Sequence, residues 1–179
     1  MPRLFVGLEL PEPVAETLSG LAGGLEGARF VAREDLHVTL RFVGDVDGDV
    51  ADDLYAALAE RRPREPIALA IDALASFGGD KPHALIATLP ADRELADLQS
   101  EVERLARRAG LAPETRKFVP HVTLARMRGV DARAVAAWIA VREPLPPLRF
   151  AVDRIAVFSA KPGTGGGPYV VEAAYPLAE

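Results

Sequence analysis

The sequence predicts an α+β fold built on antiparallel sheets, and two observations carry this prediction. Apolar patterning and turn residues give the element order βαββαββαβαββ, in which several strands follow one another directly as hairpins do. The phrase HVTL also occurs twice, at residues 37–40 and 121–124, about half a chain length apart. We therefore expect an internal repeat with one HVTL strand in each half.

The individual elements are predicted from breaks at Pro and Gly and from the charge pattern of the helices. The first strand is stopped by Pro11, and the second helix has acidic residues in its first turn and arginines in its last, as the helix dipole favours. The glycine-rich phrase KPGTGGG is expected to join the last two strands. Predicted strands cover residues 3–10, 28–31, 36–44, 67–78, 83–89, 118–127, 149–160 and 168–177, and predicted helices cover residues 11–25, 49–62, 92–109 and 131–141.

Composition limits the class of protein. A chain of 179 residues that is 49% hydrophobic can bury one substantial core, and we expect a single two-lobed domain over residues 1–179. The chain has no cysteine, which excludes disulfides and thiolate metal sites. The apolar run at the N-terminus is too short for a signal peptide, and no other stretch approaches a membrane span. We therefore expect a soluble, cytoplasmic protein with no membrane partner.

The charge distribution bears on nucleic acids. A net charge of −5 argues against a protein that holds long duplexes by phosphate neutralisation alone. Basic residues nevertheless gather near the two HVTL phrases, so a positive cleft in an acidic body is compatible with binding of a nucleic-acid end. These residues are Arg33, Arg41, Arg116, Lys117, Arg126 and Arg128.

The HVTL phrases carry the chemistry. Side chains alternate along a strand, so His37 and Thr39 face one way while Val and Leu face the core, and the same holds for His121 and Thr123. Two imidazoles and two hydroxyls brought together suit in-line displacement at phosphorus, which needs a base on the attacking oxygen and an acid on the leaving oxygen. Because the repeat is symmetric, the residues alone do not decide which histidine is the acid.

These paired phrases resemble the signature of the two-histidine phosphoesterase superfamily, a pair of HxTx motifs, and most closely that of its bacterial 2'-5' RNA ligases, also called RNA 2',3'-cyclic phosphodiesterases. The resemblance implies a bilobed molecule with a pseudo-two-fold axis, in which two small antiparallel sheets backed by helices flank an active-site cleft. Five segments follow the family's order, namely RLFVGLELP (residues 3–11), LHVTLRFVG (36–44), SFGGDKPHALIA (76–87), RKFVPHVTLAR (116–126) and SAKPGTGGGPYVV (159–171).

The resemblance also implies an activity. It is metal-independent hydrolysis of a terminal 2',3'-cyclic phosphate on RNA to a 2'-phosphate, with reversible, ATP-independent 2'-5' RNA ligation when an RNA 5'-hydroxyl replaces water. In the family the first-motif histidine is the proton donor and the second the proton acceptor, which assigns these roles to His37 and His121. Thr39 and Thr123 are expected to bind phosphoryl oxygens. The expected partners are RNA ends, tRNA fragments among them; no cofactor is expected, and the protein is expected to be a monomer.

Four further residues are weaker candidates for substrate binding. Arg126 matches an arginine common in the family's second motif, although simple alternation places it on the core face unless the strand is bulged. Arg41 shares the face of His37 by alternation. Phe42 is predicted to be in the core but is an aromatic ring able to stack on a base, and Tyr169 lies near the glycine-rich phrase.

Three alternatives stay open from the sequence. The same chemistry would suit a small 2'-5' or cyclic-phosphate nucleotide, and a nucleotide-binding module that has lost turnover would keep the same cleft. A zinc hydrolase that uses His83 as a third ligand is disfavoured, because neither HVTL phrase has a second ligand at metal-binding spacing.

Overall fold

The fold is described from a computed structural model for residues 3–161 and 167–178, so part of the predicted glycine-rich link lies outside the described residues. The strands are β1 (Arg3–Glu9), β2 (Ala28–Phe30), β3 (His37–Asp45), β4 (Ile67–Ile71), β5 (Ala73–Phe77), β6 (Ala84–Thr88), β7 (His121–Met127), β8 (Leu148–Val152), β9 (Arg154–Ala160) and β10 (Tyr169–Pro176). The helices are α1 (Glu12–Ser19), α2 (Gly48–Ala59), α3 (Arg93–Arg108) and α4 (Ala132–Arg142), with a 3₁₀ turn at Arg33–Asp35.

The α+β prediction with antiparallel sheets is confirmed. One half of the main sheet has the strand order β10-β9-β1-β3, and the other has β7-β6-β5 with β2 paired to the opposite edge of β7. All of these pairings are antiparallel. Each half of the sheet contains one of the two HVTL strands.

The two halves of the sheet meet at the HVTL strands, so the two predicted sheets are joined into one. Within the described residues, β3 and β7 are linked through the single antiparallel pair Val38–Val122. These valines occupy the same place in the two phrases, so the pseudo-two-fold axis relating the phrases passes between them. Continuing this register sets Thr123 against His37 and Thr39 against His121, and it places both histidines on one face of the sheet.

Both HVTL strands contain a β-bulge at the same position. Leu40 has no partner on β1, because Val6 pairs with Arg41 and Gly7 with Thr39. Leu124 is likewise skipped by β6, where Leu85 pairs with Ala125 and Ile86 with Thr123. An extra residue in one strand reverses the alternation of side chains beyond it. Both strands accordingly show the same burial sequence from the histidine onward: half-buried, buried, half-buried, buried, buried, exposed.

Two predicted strands are each divided in the structure. The predicted strand over residues 67–78 breaks at Asp72 into β4 and β5, and that over residues 149–160 breaks at Asp153 into β8 and β9. Aspartate is unfavourable within strands, and each break lets the chain pass from one sheet to another. β4 and β8 pair with each other as a separate two-stranded sheet, which was not predicted from the sequence.

Helix α3 supports the β3 strand from behind. Its buried residues Leu95, Leu98, Val102 and Leu105 recur at helical spacing and form one apolar face. Asp92 caps the helix by accepting a hydrogen bond from the Leu95 amide at 2.8 Å, a contact typically worth about 1 kcal/mol. Helix α1 is shorter than predicted and ends at Ser19 with Gly20 as its C-cap, and Gly23 and Gly24 then turn the chain at φ of 95° and 78°. No helix in the described residues is long and apolar enough to cross a membrane.

Candidate active site

The HVTL strands line a cavity of about 580 Å³ on the shared face of the sheet. His37, Thr39, His121 and Thr123 all border this cavity, so the structure brings together the four residues that the repeat singled out. The four weaker candidates also border it, namely Arg41, Phe42, Arg126 and Tyr169. The rest of the wall is built largely by the segment 114–119 and by the start of the β6 hairpin.

The two imidazoles are oriented in the same way. In each case Nδ1 lies against the backbone carbonyl two residues earlier, at 2.7 Å from Asp35 O for His37 and at 2.6 Å from Val119 O for His121. A carbonyl only accepts hydrogen bonds, so Nδ1 carries the proton in both neutral rings. Nε2 is therefore the nitrogen that is free to exchange a proton at the site.

The surroundings of the two Nε2 atoms differ. His37 Nε2 accepts a hydrogen bond from Thr39 Oγ1 at 2.9 Å. Within the described part of the chain no protein group hydrogen-bonds to His121 Nε2, which leaves this nitrogen available to a water molecule. The structure thus breaks the symmetry of the repeat at the level of hydrogen bonding.

Aromatic rings pack against both histidines, and of these only Tyr169 was among the residues predicted from the sequence. Phe5 stacks on His37 with ring centroids 4.6 Å apart, and Tyr169 meets the same imidazole edge-on at 5.2 Å. Phe77 meets His121 edge-on at 4.8 Å. Phe5 pairs with Phe42 across β1 and β3, which places its ring on the cavity face of the sheet. No local pattern in the β1 sequence distinguishes Phe5 from the apolar residues around it.

Burial lowers the pKa of both histidines below the usual value of 6.5. The hydrogen bonds to the Asp35 and Val119 carbonyls act in the opposite direction and raise it, but burial is the larger effect. The positive charge of Arg126 lowers the pKa of both His37 and His121 further. Arg126 borders the same cavity as both imidazoles, so its charge also acts on an anion bound there.

The bulges decide which of the neighbouring side chains face the cavity, and here simple alternation was wrong. Arg126 was expected on the core face but is exposed on the face of His121 and Thr123. Phe42 was expected in the core but is 43% exposed at the corresponding position of β3. The corresponding positions thus carry an aromatic ring on one strand and a guanidinium on the other.

Arg41 was expected on the face of His37, and this too was wrong, because the same bulge turns the residue inward. Its side chain is 7% exposed and its Nε donates to Glu103 Oε1 at 2.9 Å. The guanidinium also donates to the backbone carbonyls of Phe42 and Ala112. Glu103 in turn accepts a hydrogen bond from the Glu114 amide. Arg41 therefore holds the segment that forms one wall of the cavity, and its charge is already compensated.

Asp35 links the histidine site to the start of β10. Its carbonyl orients His37, while its carboxylate accepts a hydrogen bond from the Tyr169 amide at 3.1 Å. Gly167 lies directly against this carboxylate at φ 80°, where a Cβ would overlap Asp35 Oδ2. Tyr169 reaches the His37 ring because of these contacts.

His83 borders the same cavity but is exposed, and its nearest ring neighbour is Phe77, with centroids 6.4 Å apart. Among the described residues no three His, Cys, Asp or Glu side chains are grouped so that they could hold a metal ion. Thus His83 does not complete a three-histidine ligand set with His37 and His121.

Solved structures share this fold over the whole chain. Escherichia coli LigT in complex with 3'-AMP superposes with a TM-score of 0.78 at 22% sequence identity and 100% coverage of both chains. TT0787 of Thermus thermophilus superposes with a TM-score of 0.77 at 24% identity, covering 98% of this chain and 97% of that one. At this identity the likeness shows the fold.

Sequence relatives extend the comparison. A protein of Aeropyrum pernix named RNA 2',3'-cyclic phosphodiesterase is 37% identical over 101 residues, which cover 55% of this chain and only 57% of that protein. A protein of Aquifex aeolicus with the same name is 27% identical over 176 residues and is covered to 94%, as is this chain. The family model of the 2'-5' RNA ligase superfamily matches residues 10–164. Because this match includes both HVTL strands and most of the sequence, the chain belongs to the 2'-5' RNA ligase superfamily.

Proposed function

We propose that the protein is an RNA 2',3'-cyclic phosphodiesterase, which hydrolyses a terminal 2',3'-cyclic phosphate to a 2'-phosphate without a metal ion. The observation that carries this proposal is a pair of histidines that line one cavity. The Nδ1 atom of each is hydrogen-bonded to a backbone carbonyl, which leaves Nε2 as the nitrogen that can exchange a proton with a substrate there. Membership of the family and the name shared by the sequence relatives support it.

In the proposed mechanism His121 is the base. Its Nε2 takes a proton from a water molecule as the water oxygen attacks phosphorus, and the availability of that nitrogen supports this role. The bond between phosphorus and the 3'-oxygen breaks, and His37 Nε2 gives its proton to the departing oxygen. The products are a 2'-phosphate and a 3'-hydroxyl, and the two histidines exchange protons with water before the next turnover.

The acid role of His37 depends on the substrate. Burial lowers the pKa of this histidine, which opposes the protonated form in the free protein. A phosphate anion against Nε2 favours the imidazolium and raises the pKa again, so binding prepares the acid. Thr39 Oγ1, 2.9 Å from the same nitrogen, would then donate to a phosphoryl oxygen, with Thr123 in the corresponding place beside His121.

Other residues of the cavity are assigned to substrate binding. Arg126 would neutralise the charge that develops on the phosphoryl oxygens, since it lines the cavity together with both histidines. Phe42 presents an exposed ring on which a nucleobase can stack, and Tyr169 borders the nucleoside on the side of His37.

The same groups would catalyse 2'-5' RNA ligation, a step whose reverse cleaves a 2'-5' linkage back to the cyclic phosphate and a 5'-hydroxyl. When an RNA 5'-hydroxyl takes the place of water, attack on the cyclic phosphate forms a 2'-5' linkage and frees the 3'-hydroxyl. The ring strain of the cyclic phosphate drives the step, so ATP is not needed. RNA ends such as tRNA fragments, a monomeric state and a cytoplasmic location stay predictions.

The activity is tested with an RNA oligonucleotide that ends in a 2',3'-cyclic phosphate, incubated in excess EDTA and followed by separation of the 2'- and 3'-phosphate products. We expect the 2'-phosphate alone. Formation of the 3'-phosphate would contradict the assigned leaving group, and loss of activity in EDTA would contradict a metal-independent reaction. No turnover by folded protein would favour a binding module.

The assignment of acid and base is tested separately with a cyclic substrate whose 3'-bridging oxygen is replaced by sulfur. A thiolate leaves without protonation, so this substrate should restore the activity of His37→Ala but leave His121→Ala inactive. Rescue of His121→Ala alone would reverse the assignment.

A further inference from the structure

A second cavity of about 290 Å³ adjoins the main one beside the β2–β7 pair. Arg126 and Val31 line both cavities, so the two spaces adjoin at these two residues. Arg29 lines the side cavity together with Glu34, Asp35, Gly167 and Pro168. An extended ligand in the main cavity can therefore continue past Arg126 into this space.

Arg29 lies beside Arg126 on the same face of the sheet. The two residues are directly opposite each other in the antiparallel β2–β7 pair, and both are exposed. Residues in this relation have their Cβ atoms about 4.5–5.5 Å apart, and like charges so placed destabilise a sheet. A pair of adjacent cations at the mouth of a cavity is therefore a place where a bound anion would remove an unfavourable repulsion.

Neither of these arginines is neutralised by a neighbouring carboxylate. In residues 3–161 and 167–178, neither Arg29 nor Arg126 forms a salt bridge, whereas the other cavity arginines do. Arg41 is paired with Glu103 and Arg116 with Glu114. The donors of Arg29 and Arg126 are thus free for a ligand.

Two carboxylates border the side cavity and have to be considered. Asp35 is buried and accepts the Tyr169 amide, so it is engaged by the protein. Glu34 is exposed at the rim and also borders another surface cavity. Neither forms a salt bridge with Arg29 or Arg126 in the described structure, so neither neutralises these two arginines by direct pairing.

We propose that Arg29 and Arg126 form a second phosphate subsite, which binds the 3'-5' phosphodiester on the 5' side of the nucleotide that carries the cyclic phosphate. This inference rests on the proposed function. With the reacting phosphate between the histidines, the next anionic group of an RNA chain is this phosphodiester. A guanidinium group can donate two parallel hydrogen bonds to the oxygens of a phosphate. A cyclic mononucleotide has no such group, so Arg29 makes the site selective for an RNA end over a small nucleotide.

The test uses two dinucleotides that end in a 2',3'-cyclic phosphate and differ only in the internal linkage. One has the natural phosphodiester, and the other has an uncharged methylphosphonate, with both diastereomers measured. For each protein variant the ratio of kcat/KM between the charged and the neutral substrate is determined, so that general effects on folding or chemistry cancel. We expect a ratio of about ten or more for the wild type, as for a charge-assisted hydrogen bond, and a several-fold smaller ratio for Arg29→Gln, in which Arg126 remains.

Arg149→Gln is the matched control. Arg149 is also an exposed strand arginine, but it lies on β8 in the separate sheet and borders neither cavity, so this variant should keep the wild-type ratio. A wild-type ratio near one, or an unchanged ratio in Arg29→Gln, would overturn the subsite while leaving the proposed function intact. Absence of turnover on every cyclic substrate would instead overturn the proposed function.

Discussion

Arg41 and Arg126 lie next to equivalent bulges, and we predict that their replacement by methionine affects different properties, namely stability for Arg41 and catalysis for Arg126. Arg41 is buried against Glu103, with side-chain exposures of 7% and 13%, whereas Arg126 is exposed beside the histidines. Arg41→Met should therefore reduce the free energy of unfolding with a smaller effect on chemistry. Arg126→Met should reduce catalysis and leave the stability nearly unchanged.

The magnitude follows from what each guanidinium contacts. Removing one partner of a buried ion pair typically costs about 3–5 kcal/mol, and Arg41→Met would also take a donor from the carbonyls of Phe42 and Ala112. Arg107, 3.9 Å from Glu103, offsets part of this loss, so we expect about 3 kcal/mol. In a chain of this size that corresponds to a melting temperature roughly 6–12 °C lower.

Urea unfolding and steady-state kinetics on a cyclic-phosphate substrate measure the two effects. For Arg126→Met we expect a stability within about 0.5 kcal/mol of the wild type and a kcat/KM roughly 10- to 150-fold lower. The double variant Arg41→Met/Glu103→Leu should recover much of the lost stability, because an apolar pair leaves no buried charge. An Arg41→Met protein with wild-type stability and strongly raised KM would refute the inward orientation of Arg41.

Three further predictions concern pH and the Asp35 contact. Because burial lowers the pKa of His37 and His121, kcat/KM should pass through a maximum on the acid side of pH 6.5, and a maximum above pH 7.5 would contradict the described environment. At pH values between the lowered pKa of His37 and 6.5, the unfolded chain binds more protons than the folded one. The urea midpoint should therefore fall as the pH drops through 6.5, and this fall should be smaller in His37→Gln. Gly167→Ala should be destabilised by at least about 1–2 kcal/mol in thermal unfolding and should lower kcat, because its Cβ displaces Asp35 and with it Tyr169; wild-type values for both would show that this contact is not needed.

The repeat made much of the site predictable. Two identical phrases in strands gave the face of the histidines and threonines, since nothing between His37 and Thr39 or between His121 and Thr123 disturbs the alternation. The element order likewise predicted the antiparallel α+β fold. The alternation rule could not predict which side chains face the cavity beyond Leu40 and Leu124.

The bulges explain every side chain that was placed on the wrong face. Leu124 and Ala125 are consecutive buried residues, followed by exposed Arg126 and buried Met127. In the second HVTL strand, two consecutive apolar residues interrupt the alternation, and the alternation resumes after them shifted by one residue. This interruption is the sequence signal for the bulge. In the first strand the buried position after the leucine is occupied by Arg41, a charged residue, so the same signal was hidden.

Other features depend on distant contacts and had no local signal. The division of two predicted strands at Asp72 and Asp153 follows from the pairing of β4 with β8, which are far apart in the chain. The stacking of Phe5 on His37 and the contact of Phe77 with His121 depend on the register of neighbouring strands.

The most direct test of the paired-histidine site is the single-turnover rate on a cyclic-phosphate RNA end in EDTA for the wild type, His37→Ala and His121→Ala. General acid and general base catalysis each contribute about 10²- to 10⁴-fold, so each single variant should be slower by that factor while circular dichroism and urea unfolding show a folded protein. A folded variant of either histidine that keeps the wild-type rate would contradict the account.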